Sequence, residues 1–257
     1  MSSGGVEKAG GLAIVTGASR GLGKAIAQEF LRQGISVLGV ARSFSELPSS
    51  KGEAALTPCI ADVTKAEDLE RIIEECKASK QPLVALVNNA GTVDPIARLS
   101  DMDSDAWRLN FEVNVVAVVA LTQKALPMLR ATEGRVVNVS SGAAVNVHQG
   151  WAAYCASKAA LNMLTQSIAM EEPDVVAVAV RPGAVDTDMQ AVIRSVGQQS
   201  MRPDQLEKYQ KLHEEGALLD PELPARSIVR LALGAPKSMS GMFVAWDSPE
   251  IERQLSK

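Results

Sequence analysis

Short apolar runs alternate with amphipathic stretches along most of the chain. Six runs rich in β-branched residues predict strands, and helical patterns fill the intervals between them. The predicted strands are Leu12 to Thr16, Ile35 to Val40, Leu83 to Asn88, Arg135 to Ser140, Val175 to Val180 and Met242 to Trp246. Strands that alternate with helices pair in parallel, so the pattern predicts a doubly wound parallel sheet in a three-layer α/β/α sandwich.

The rhythm of strands and helices has one long exception, from Ala184 to Pro224. This interval contains no strand pattern, and a helical piece from Asp204 to Glu215 lies between Gly197 and Gly216. Long insertions in compact domains often cover a binding site. Because 257 residues suit one α/β domain and no linker is visible, we expect a single domain over residues 1–257 with a substrate lid at 184–224.

Charge and cysteine content narrow the class of protein. A formal net charge of -4 gives no electrostatic reason to bind nucleic acid or an anionic membrane, so a small molecule is the expected partner. The segment Met1 to Gly11 lacks the pattern of a secretory signal, and we expect no apolar run of membrane-spanning length. The three scattered cysteines fit neither a metal site nor a disulfide framework, which predicts a cytoplasmic protein with reduced thiols.

A glycine-rich turn, Thr16 to Gly23, directly follows the first predicted strand and precedes a helical pattern from Lys24 to Gln33. Glycines permit close approach of the backbone, and the start of the helix presents free N–H groups to a phosphate. A glycine turn alone is also a simple strand-to-helix connection, but this order is typical of a Rossmann-like dinucleotide site. The predicted contacts are Gly17, Ser19, Arg20, Gly21, Leu22 and Gly23.

The end of the second predicted strand indicates which dinucleotide binds. An NAD site usually carries an acidic residue there for the ribose 2′-hydroxyl, whereas this chain has Ala41 and Arg42. Arg42 and Arg20 are suited to pair with a 2′-phosphate, although two arginines can also be solvated surface residues. The sequence therefore favours NADP(H).

Along nearly its whole length the chain resembles the short-chain dehydrogenase/reductase family, because several motifs match in order and spacing. They are the glycine turn, Asp62-Val63, Asn88-Asn89-Ala90-Gly91, Asn114, the set Ser141, Tyr154 and Lys158, and Pro182-Gly183 with Thr187. The resemblance implies an adenine contact after a third strand at Asp62 and Val63, and a sheet-stabilising motif at Asn89, Ala90 and Gly91. It also implies nicotinamide contacts at Pro182, Gly183, Val185 and Thr187.

Tyr154 and Lys158 are four residues apart in a helical stretch from Trp151 to Met170, so both project from one face. The ammonium and the charge of the cofactor are expected to lower the tyrosine pKa, so that Tyr154 acts as general acid toward a carbonyl oxygen. A tyrosine and a lysine at this spacing are more often a surface pair, but their occurrence together with the other motifs indicates a catalytic role. The resemblance assigns Lys158 to the nicotinamide ribose, Ser141 to the substrate oxygen and Asn114 to a water that connects Lys158 to solvent.

Other residues near these positions have simpler interpretations. Ser140 competes with Ser141 as the active serine, and the family's spacing to Tyr154 selects Ser141. His148 is interpreted as a pocket-wall or surface residue, and Cys155 as a packing residue on another side of the helix.

Within the family, the segments around Tyr154 and from Arg181 to Met189 are most similar to sepiapterin reductases and benzil-reductase-like members. Sepiapterin reductases carry a pterin-anchoring aspartate where this chain aligns Ala245, and Asp247 lies two residues later, on the same side of the predicted strand. Together with Ser141 and Tyr154, the candidate substrate contacts are Trp151, Met189 and Asp247.

The expected substrates are bulky, flat carbonyl compounds, because apolar walls bury flat rings well. Further apolar wall positions are expected at Val145, Val147, Met201, Leu218 and Leu219. The alternative is that Trp151 and the lid residues only pack against each other.

The stretch Val115 to Leu121 is apolar all round a helix, which predicts a homodimer or homotetramer built partly on this helix. Two rival functions remain open at this point. One is a non-catalytic NADP(H)-binding regulator on the same fold, and the other is an alcohol dehydrogenase that works oxidatively.

Overall fold

Seven parallel strands form one sheet in the part of the chain that the structure, a computed structural model, describes: residues 10–46 and 54–255. The strands are β1 Leu12–Thr16, β2 Ser36–Ala41, β3 Leu56–Ile60, β4 Leu83–Asn88, β5 Arg135–Val139, β6 Val176–Arg181 and β7 Phe243–Ala245. Their order across the sheet is β3-β2-β1-β4-β5-β6-β7. The predicted doubly wound parallel sheet is confirmed.

Helices cover both faces of this sheet. They are α1 Gly21–Arg32, α2 Ala66–Ala78, α3 Ser104–Phe111, α4 Ala117–Ala131, α5 Ala152–Glu171, α6 Asp188–Val196, α7 Pro203–Glu214, α8 Glu222–Gly234 and α9 Pro249–Leu255. Alternate residues of a strand point to opposite faces, so Leu12 and Ile14 enter one hydrophobic core with α2 and α4. Ala13 and Val15 enter the other core with α1 and α8. The two cores produce the expected three layers.

The hydrophobic pattern located six of the seven strands well. β1 and β4 have the predicted bounds, and no bound of the other four differs from its prediction by more than one residue. β3 is absent from the predicted runs because it lies at the sheet edge, where only Cys59 is fully buried and where Pro58 is tolerated. Residues 1–9, which include most of the segment judged to lack a secretory signal, lie outside the described residues.

The order of the strands creates the binding edge. From the central β1 the chain continues to β2 and β3 on one side and returns to β4 on the other, so β1 and β4 form a topological switch point. Ligands of doubly wound sheets bind beyond the carboxyl ends of the strands at such a point. A cavity lies there, lined by residues that follow all seven strands: Gly17, Arg42, Asp62, Asn89, Ser141, Pro182 and Trp246.

The expectation that no apolar run reaches membrane-spanning length is wrong. The continuous helical segment Ser104–Ala131 is 28 residues long, with a mean hydropathy of 1.3 in its most apolar part, and is long and apolar enough to cross a membrane by length and composition. However, Val118, Leu121 and Leu129 of this segment are buried, and the latter two belong to the core on β4 and β5. The segment therefore packs as a core helix of the sandwich.

The strandless interval at 184–224 contains α6 and α7, joined by the 3₁₀ turn Gly197–Gln199. The predicted helical piece from Asp204 to Glu215 is confirmed with its bounds shifted by one residue. Side chains of these two helices pack with the start of α5 in a third, smaller apolar cluster that includes Trp151, Ile193, Met201 and Tyr209. The interval thus lies over the carboxyl edge of the sheet beside the cavity.

Candidate active site

A cavity of about 1170 Å³ brings together nearly all of the residues that the sequence singled out. They are Gly17, Ser19, Arg20, Gly21, Leu22, Gly23, Arg42, Asp62, Val63, Asn89, Ala90, Gly91, Ser141, Trp151, Tyr154, Lys158, Pro182, Gly183, Val185, Thr187, Met189 and Asp247. Asn114 does not line the cavity and lies fully buried behind it.

Close backbone contacts explain the glycines of the turn after β1. A Cβ on Gly23 would lie 2.0 Å from the Gly17 carbonyl oxygen, and a Cβ on Gly17 would lie 2.8 Å from Asn89 Nδ2. α1 begins at Gly21, and the preceding Arg20 makes no side-chain capping bond to its first N–H groups. These donors are free to bind an anion, so the turn fits the pyrophosphate of a dinucleotide.

The asparagine motif after β4 holds this turn in place. Asn89 Nδ2 donates to the Thr16 carbonyl at 2.9 Å, and the Asn89 and Ala90 N–H groups both donate to Thr16 Oγ1 at 3.0 Å. These bonds tie the carboxyl ends of β1 and β4 together at the switch point. The sheet-stabilising role that the family resemblance implied for this motif agrees with the contacts.

The two arginines lie in different surroundings. Arg42 lines the cavity after β2. Arg20 Nη1 pairs with Asp188 Oδ2 at 2.6 Å, and both side chains are largely exposed. Exposed ion pairs contribute about 0–1 kcal/mol, so a phosphate can displace Asp188 from Arg20 at small cost.

Asp62 lines the cavity directly beyond the carboxyl end of β3. Its Oδ1 accepts hydrogen bonds from the Thr64 N–H at 3.0 Å and from the Thr64 hydroxyl at 2.8 Å. Burial acts to raise the pKa of Asp62, but the bonds from Thr64 and the charge of Arg42 outweigh it and hold this pKa below its ordinary value. Asp62 is therefore ionised at neutral pH.

Tyr154 and Lys158 lie on one face of α5, as the spacing predicted, and both are almost fully buried. Lys158 Nζ lies 5.7 Å from the centroid of the Tyr154 ring and donates to the Val139 carbonyl at 2.8 Å. Burial lowers the pKa of the Lys158 ammonium to about 8.

In the protein chain alone, without the cofactor charge on which the expected lowering of the tyrosine pKa also depends, this pKa shifts in the opposite direction. Burial raises the pKa of Tyr154 to about 12, although a hydrogen bond with Ser141 acts in the opposite direction. Desolvation disfavours the phenolate more than the neighbouring groups stabilise it. Consequently Tyr154 keeps its proton throughout the neutral range.

The two serines after β5 have separate tasks. Ser140 Oγ donates to Asn162 Oδ1 at 2.7 Å and is 2% exposed, so its hydroxyl is already engaged. Ser141 lines the cavity, and its Oγ accepts the Ala143 N–H at 3.1 Å, which caps a short 3₁₀ turn. This cap leaves the Ser141 hydroxyl proton available, and the choice of Ser141 over Ser140 agrees with the geometry.

Asn114 occupies a π-helical turn, Glu112–Val116, between α3 and α4. Its Oδ1 accepts the Thr92 N–H at 2.9 Å, and its Nδ2 donates to Ser157 Oγ at 3.1 Å and to Asn110 Oδ1 at 3.1 Å. The side chain therefore links this helix to α5 and to the loop after β4. π-Turns inside helices occur frequently at functional sites, but the sequence pattern shows only an unbroken helix here.

Three aromatic rings form the wall of the cavity next to Tyr154. The Trp151 ring lies 4.7 Å from His148 and 5.5 Å from Tyr209 between centroids, and it meets the Tyr154 ring edge-on at 5.8 Å. Burial, followed by the charge of Lys208, lowers the pKa of His148, so this ring is neutral at pH 7. Tyr209 comes from α7 and thereby attaches the segment 184–224 to the start of α5.

Comparison with known proteins identifies the family. The model of the short-chain dehydrogenase family matches residues 11–197, more than half of the chain. The protein is a short-chain dehydrogenase. Members of this family bind a nicotinamide cofactor and act as oxidoreductases on CH–OH and C=O groups.

This short-chain dehydrogenase is similar to two kinds of named reductase. It is 36% identical to benzil reductase ((S)-benzoin forming) of Saccharomyces cerevisiae, with 94% of this chain and 98% of that protein covered. It is 31% identical to sepiapterin reductase of Bos taurus, with 89% and 93% covered. The similarity to both groups that the motifs indicated is confirmed.

Two solved structures agree with this placement. The KRED1-Pglu enzyme has a TM-score of 0.87 and 40% identity, with 91% of this chain and all of that chain covered. L-sorbose reductase of Gluconobacter frateurii, solved with NADPH and L-sorbose, has a TM-score of 0.79 and 26% identity, with 92% and 95% covered.

Several expectations about the cavity wall of this short-chain dehydrogenase are wrong. Val145 and Val147 are 63% and 88% exposed and do not line the cavity, and Met201, Leu218 and Leu219 do not line it either. The loop after β5 turns the two valines outward, and Met201 packs behind Trp151. Asp247 does line the cavity, but it lies in a turn beyond β7, so the argument from its side of a strand is wrong.

Two wall residues of the short-chain dehydrogenase were missed in the sequence. Tyr209 looked like an ordinary position of the lid helix, and Trp246 was assigned to the last strand. In the fold, Trp246 follows β7 and its indole nitrogen lies near Gly183, where an added Cβ would approach it to 3.3 Å. No local pattern marks either residue, because each reaches the cavity only through the tertiary arrangement.

Proposed function

We propose that this short-chain dehydrogenase is an NADPH-dependent carbonyl reductase. The observation that carries the proposal is the meeting of Ser141, Tyr154 and Lys158 in the same cavity as the glycine turn and Arg42. A bound nicotinamide cofactor supplies the hydride. The remaining chemistry, which is to hold the carbonyl and to deliver a proton to its oxygen, falls to the protein.

Tyr154 is the general acid in this proposal. Its pKa of about 12 keeps the phenol protonated at neutral pH, which suits donation to a carbonyl oxygen. Oxidation of an alcohol would instead require the phenolate as base. The same residues serve both directions of the reaction, so the preference for reduction rests on the proposed use of NADPH.

Ser141 and Lys158 assist this proton transfer. The Ser141 hydroxyl is placed to donate to the substrate oxygen as negative charge develops on it. Lys158 would hold the nicotinamide ribose, and its charge favours loss of the phenolic proton in the transition state. We assign two roles to Asn114. Its hydrogen bond to Ser157 supports the position of helix α5, which carries Tyr154 and Lys158. It also holds the water that, by the family resemblance, connects Lys158 to solvent.

The preference for NADP(H) rests on the ends of β1 and β2. Arg42 lines the cavity where the adenosine ribose is expected, and Arg20 has only a weak, exposed partner in Asp188. We propose that both pair with the 2′-phosphate. The other cofactor contacts proposed are Gly17, Ser19, Gly21, Leu22, Gly23, Asp62, Val63, Asn89, Ala90, Gly91, Pro182, Gly183, Val185 and Thr187.

The proposed substrates are flat carbonyl compounds, such as aromatic α-diketones or pterin side-chain ketones. Trp151 packs against Tyr209 of the proposed lid and also borders the cavity, which favours a substrate contact over the alternative that it only packs against lid residues. Met189 adds an adaptable apolar surface, and Asp247 an acceptor for a ring N–H group. Benzil and sepiapterin, which appear in the names of two relatives, represent the two substrate types.

We further propose a cytoplasmic homodimer or homotetramer. Val116 and Val119 remain 48% and 42% exposed on the apolar helical segment, and Met163 and Met170 are 61% and 88% exposed on α5. A second copy of the chain would cover these residues. The free state of all three cysteines suits a reducing compartment. Light scattering at micromolar concentration tests the assembly, and a strict monomer would contradict it.

The function is tested by measuring kcat/KM for benzil, sepiapterin and acetone with NADPH and with NADH. We expect benzil or sepiapterin to exceed acetone at least tenfold, and NADPH to be the better cofactor. Trp151→Ala should weaken benzil reduction, and Asp247→Asn should weaken only sepiapterin reduction, because benzil has no N–H to donate. Tight NADPH binding without turnover of any carbonyl would instead support the non-catalytic regulator.

A further inference from the structure

Tyr209 lines the cavity, and the proposed chemistry leaves its hydroxyl unused. Tyr209 is 9% exposed, and its ring packs against Trp151 and, at 6.4 Å between centroids, against His148. No residue in the described part of the chain makes a hydrogen bond with its Oη. This oxygen is not among the fully buried side-chain atoms that lack a partner, so it keeps contact with solvent, and Tyr209 is one of the residues that line the cavity.

The ring of Tyr209 lies on the same side of the cavity as the proposed general acid. The Trp151 indole contacts both tyrosine rings, at 5.5 Å for Tyr209 and 5.8 Å for Tyr154 between centroids. The two phenols are also close enough for the charge of one to affect the other: burial first, and then the neighbouring Tyr154, raise the pKa of Tyr209 to about 12. Tyr209 is therefore a second protonated phenol near the first.

Two neighbouring donors match a substrate that carries two neighbouring oxygens. When a substrate excludes water from the cavity, a phenol without an acceptor loses its bonds to solvent, which costs about 1–3 kcal/mol. A ketone with one oxygen engages Tyr154 and leaves Tyr209 unpaired. A 1,2-dicarbonyl compound offers one carbonyl to Tyr154 and Ser141 and the adjacent carbonyl to Tyr209.

We propose that Tyr209 is a specificity-determining residue that donates a hydrogen bond to the second carbonyl oxygen of a 1,2-dicarbonyl substrate. The bond selects dicarbonyl compounds over monoketones of the same shape. It also fixes which of the two carbonyls faces Tyr154. The inference rests on the proposed function, because it assumes that the cavity binds and reduces a carbonyl compound.

The test compares benzil with deoxybenzoin, which has the same two phenyl rings but a CH₂ group in place of one carbonyl. Tyr209→Phe keeps the ring that packs on Trp151 and removes only the hydroxyl. We expect the ratio of kcat/KM for benzil to kcat/KM for deoxybenzoin to fall at least tenfold in this variant. Because both ratios compare the same two compounds, the greater intrinsic reactivity of benzil cancels.

The matched control is Tyr209→Leu, which also removes the ring. It should raise KM for both compounds, because α7 loses its contact with Trp151. An unchanged ratio in Tyr209→Phe, with benzil still reduced by the wild type, would overturn the inference and leave the proposed function intact. Failure of the wild type to reduce any carbonyl with NADPH would overturn both.

Discussion

Replacement of Tyr154 by Phe is the most direct perturbation of the proposed chemistry. The variant keeps the buried ring and its edge-on contact with Trp151 and removes one oxygen. A positioned general acid contributes about 10²- to 10⁴-fold to the rate, equivalent to about 3–5 kcal/mol on the barrier. We therefore expect the rate of hydride transfer to fall by that factor.

The same substitution should leave the fold and the cofactor site nearly unchanged. The lost hydroxyl interacts with Ser141, whose Oγ still accepts the Ala143 N–H, so no buried group is left without a bond. The expected change in the free energy of unfolding is within about 1 kcal/mol, a shift in Tm of at most about 4 °C for a chain of this size.

The assay is single-turnover oxidation of bound NADPH by benzil, because product release can limit the steady-state rate and hide a slower chemical step. NADPH affinity and Tm are measured on the same samples. Cys155→Ala is the matched control: this residue follows Tyr154 on α5 but does not line the cavity, and its rate should stay within about twofold of wild type. A loss below tenfold in Tyr154→Phe, or an equal loss of NADPH affinity, would refute the assignment.

Three further predictions follow from the site. Burial lowers the pKa of Lys158 to about 8, so the ammonium is present below that pH and lost above it. The value of kcat/KM for reduction should therefore fall as the pH rises through about 8. A flat pH profile up to pH 10 would contradict this. Gly23→Ala, whose Cβ would lie 2.0 Å from a carbonyl oxygen of the turn, should weaken NADPH binding at least tenfold and destabilise the fold by about 1–3 kcal/mol, as titration and urea unfolding can check. In Gly142→Ala the Cβ would meet no atom of the chain within 4 Å, so the free energy of unfolding should stay unchanged. Replacing Arg20 and Arg42 together by Ala should raise KM for NADPH more than KM for NADH; equal increases would exclude contact with the 2′-phosphate.

Burial explains why the pKa of Tyr154 in the chain alone is raised although the sequence predicted a lowered one. The four-residue spacing correctly places Tyr154 and Lys158 on one helical face, because that depends only on helix geometry. The direction of the tyrosine pKa depends on how many neighbours exclude water from the phenol. Those neighbours include Trp151, one turn before Tyr154, and also Tyr209 from the distant helix α7, and burial is the largest cause of the raised pKa.

The arginines show a similar division. The sequence identified Arg20 and Arg42 as candidate phosphate ligands from their positions after β1 and β2, and both line the cavity. It gave no indication that Arg20 pairs with Asp188, which lies far along the chain at the start of α6. That contact exists because the carboxyl ends of β1 and β6 open onto the same edge of the sheet.

By itself the sequence determined the features that arise from local geometry. Apolar runs specified six strands and the two-sided burial of the sheet, and the glycine turn followed from its place between strand and helix. Only the tertiary structure decided what depends on contacts between distant segments. It added the edge strand β3, the π-turn at Asn114 and the packing of Tyr209 on Trp151. It also turned Val147 away from the cavity. The physical reason is that periodicity encodes which face of an element is buried, whereas the identity of the partner on that face is set only when the elements pack together.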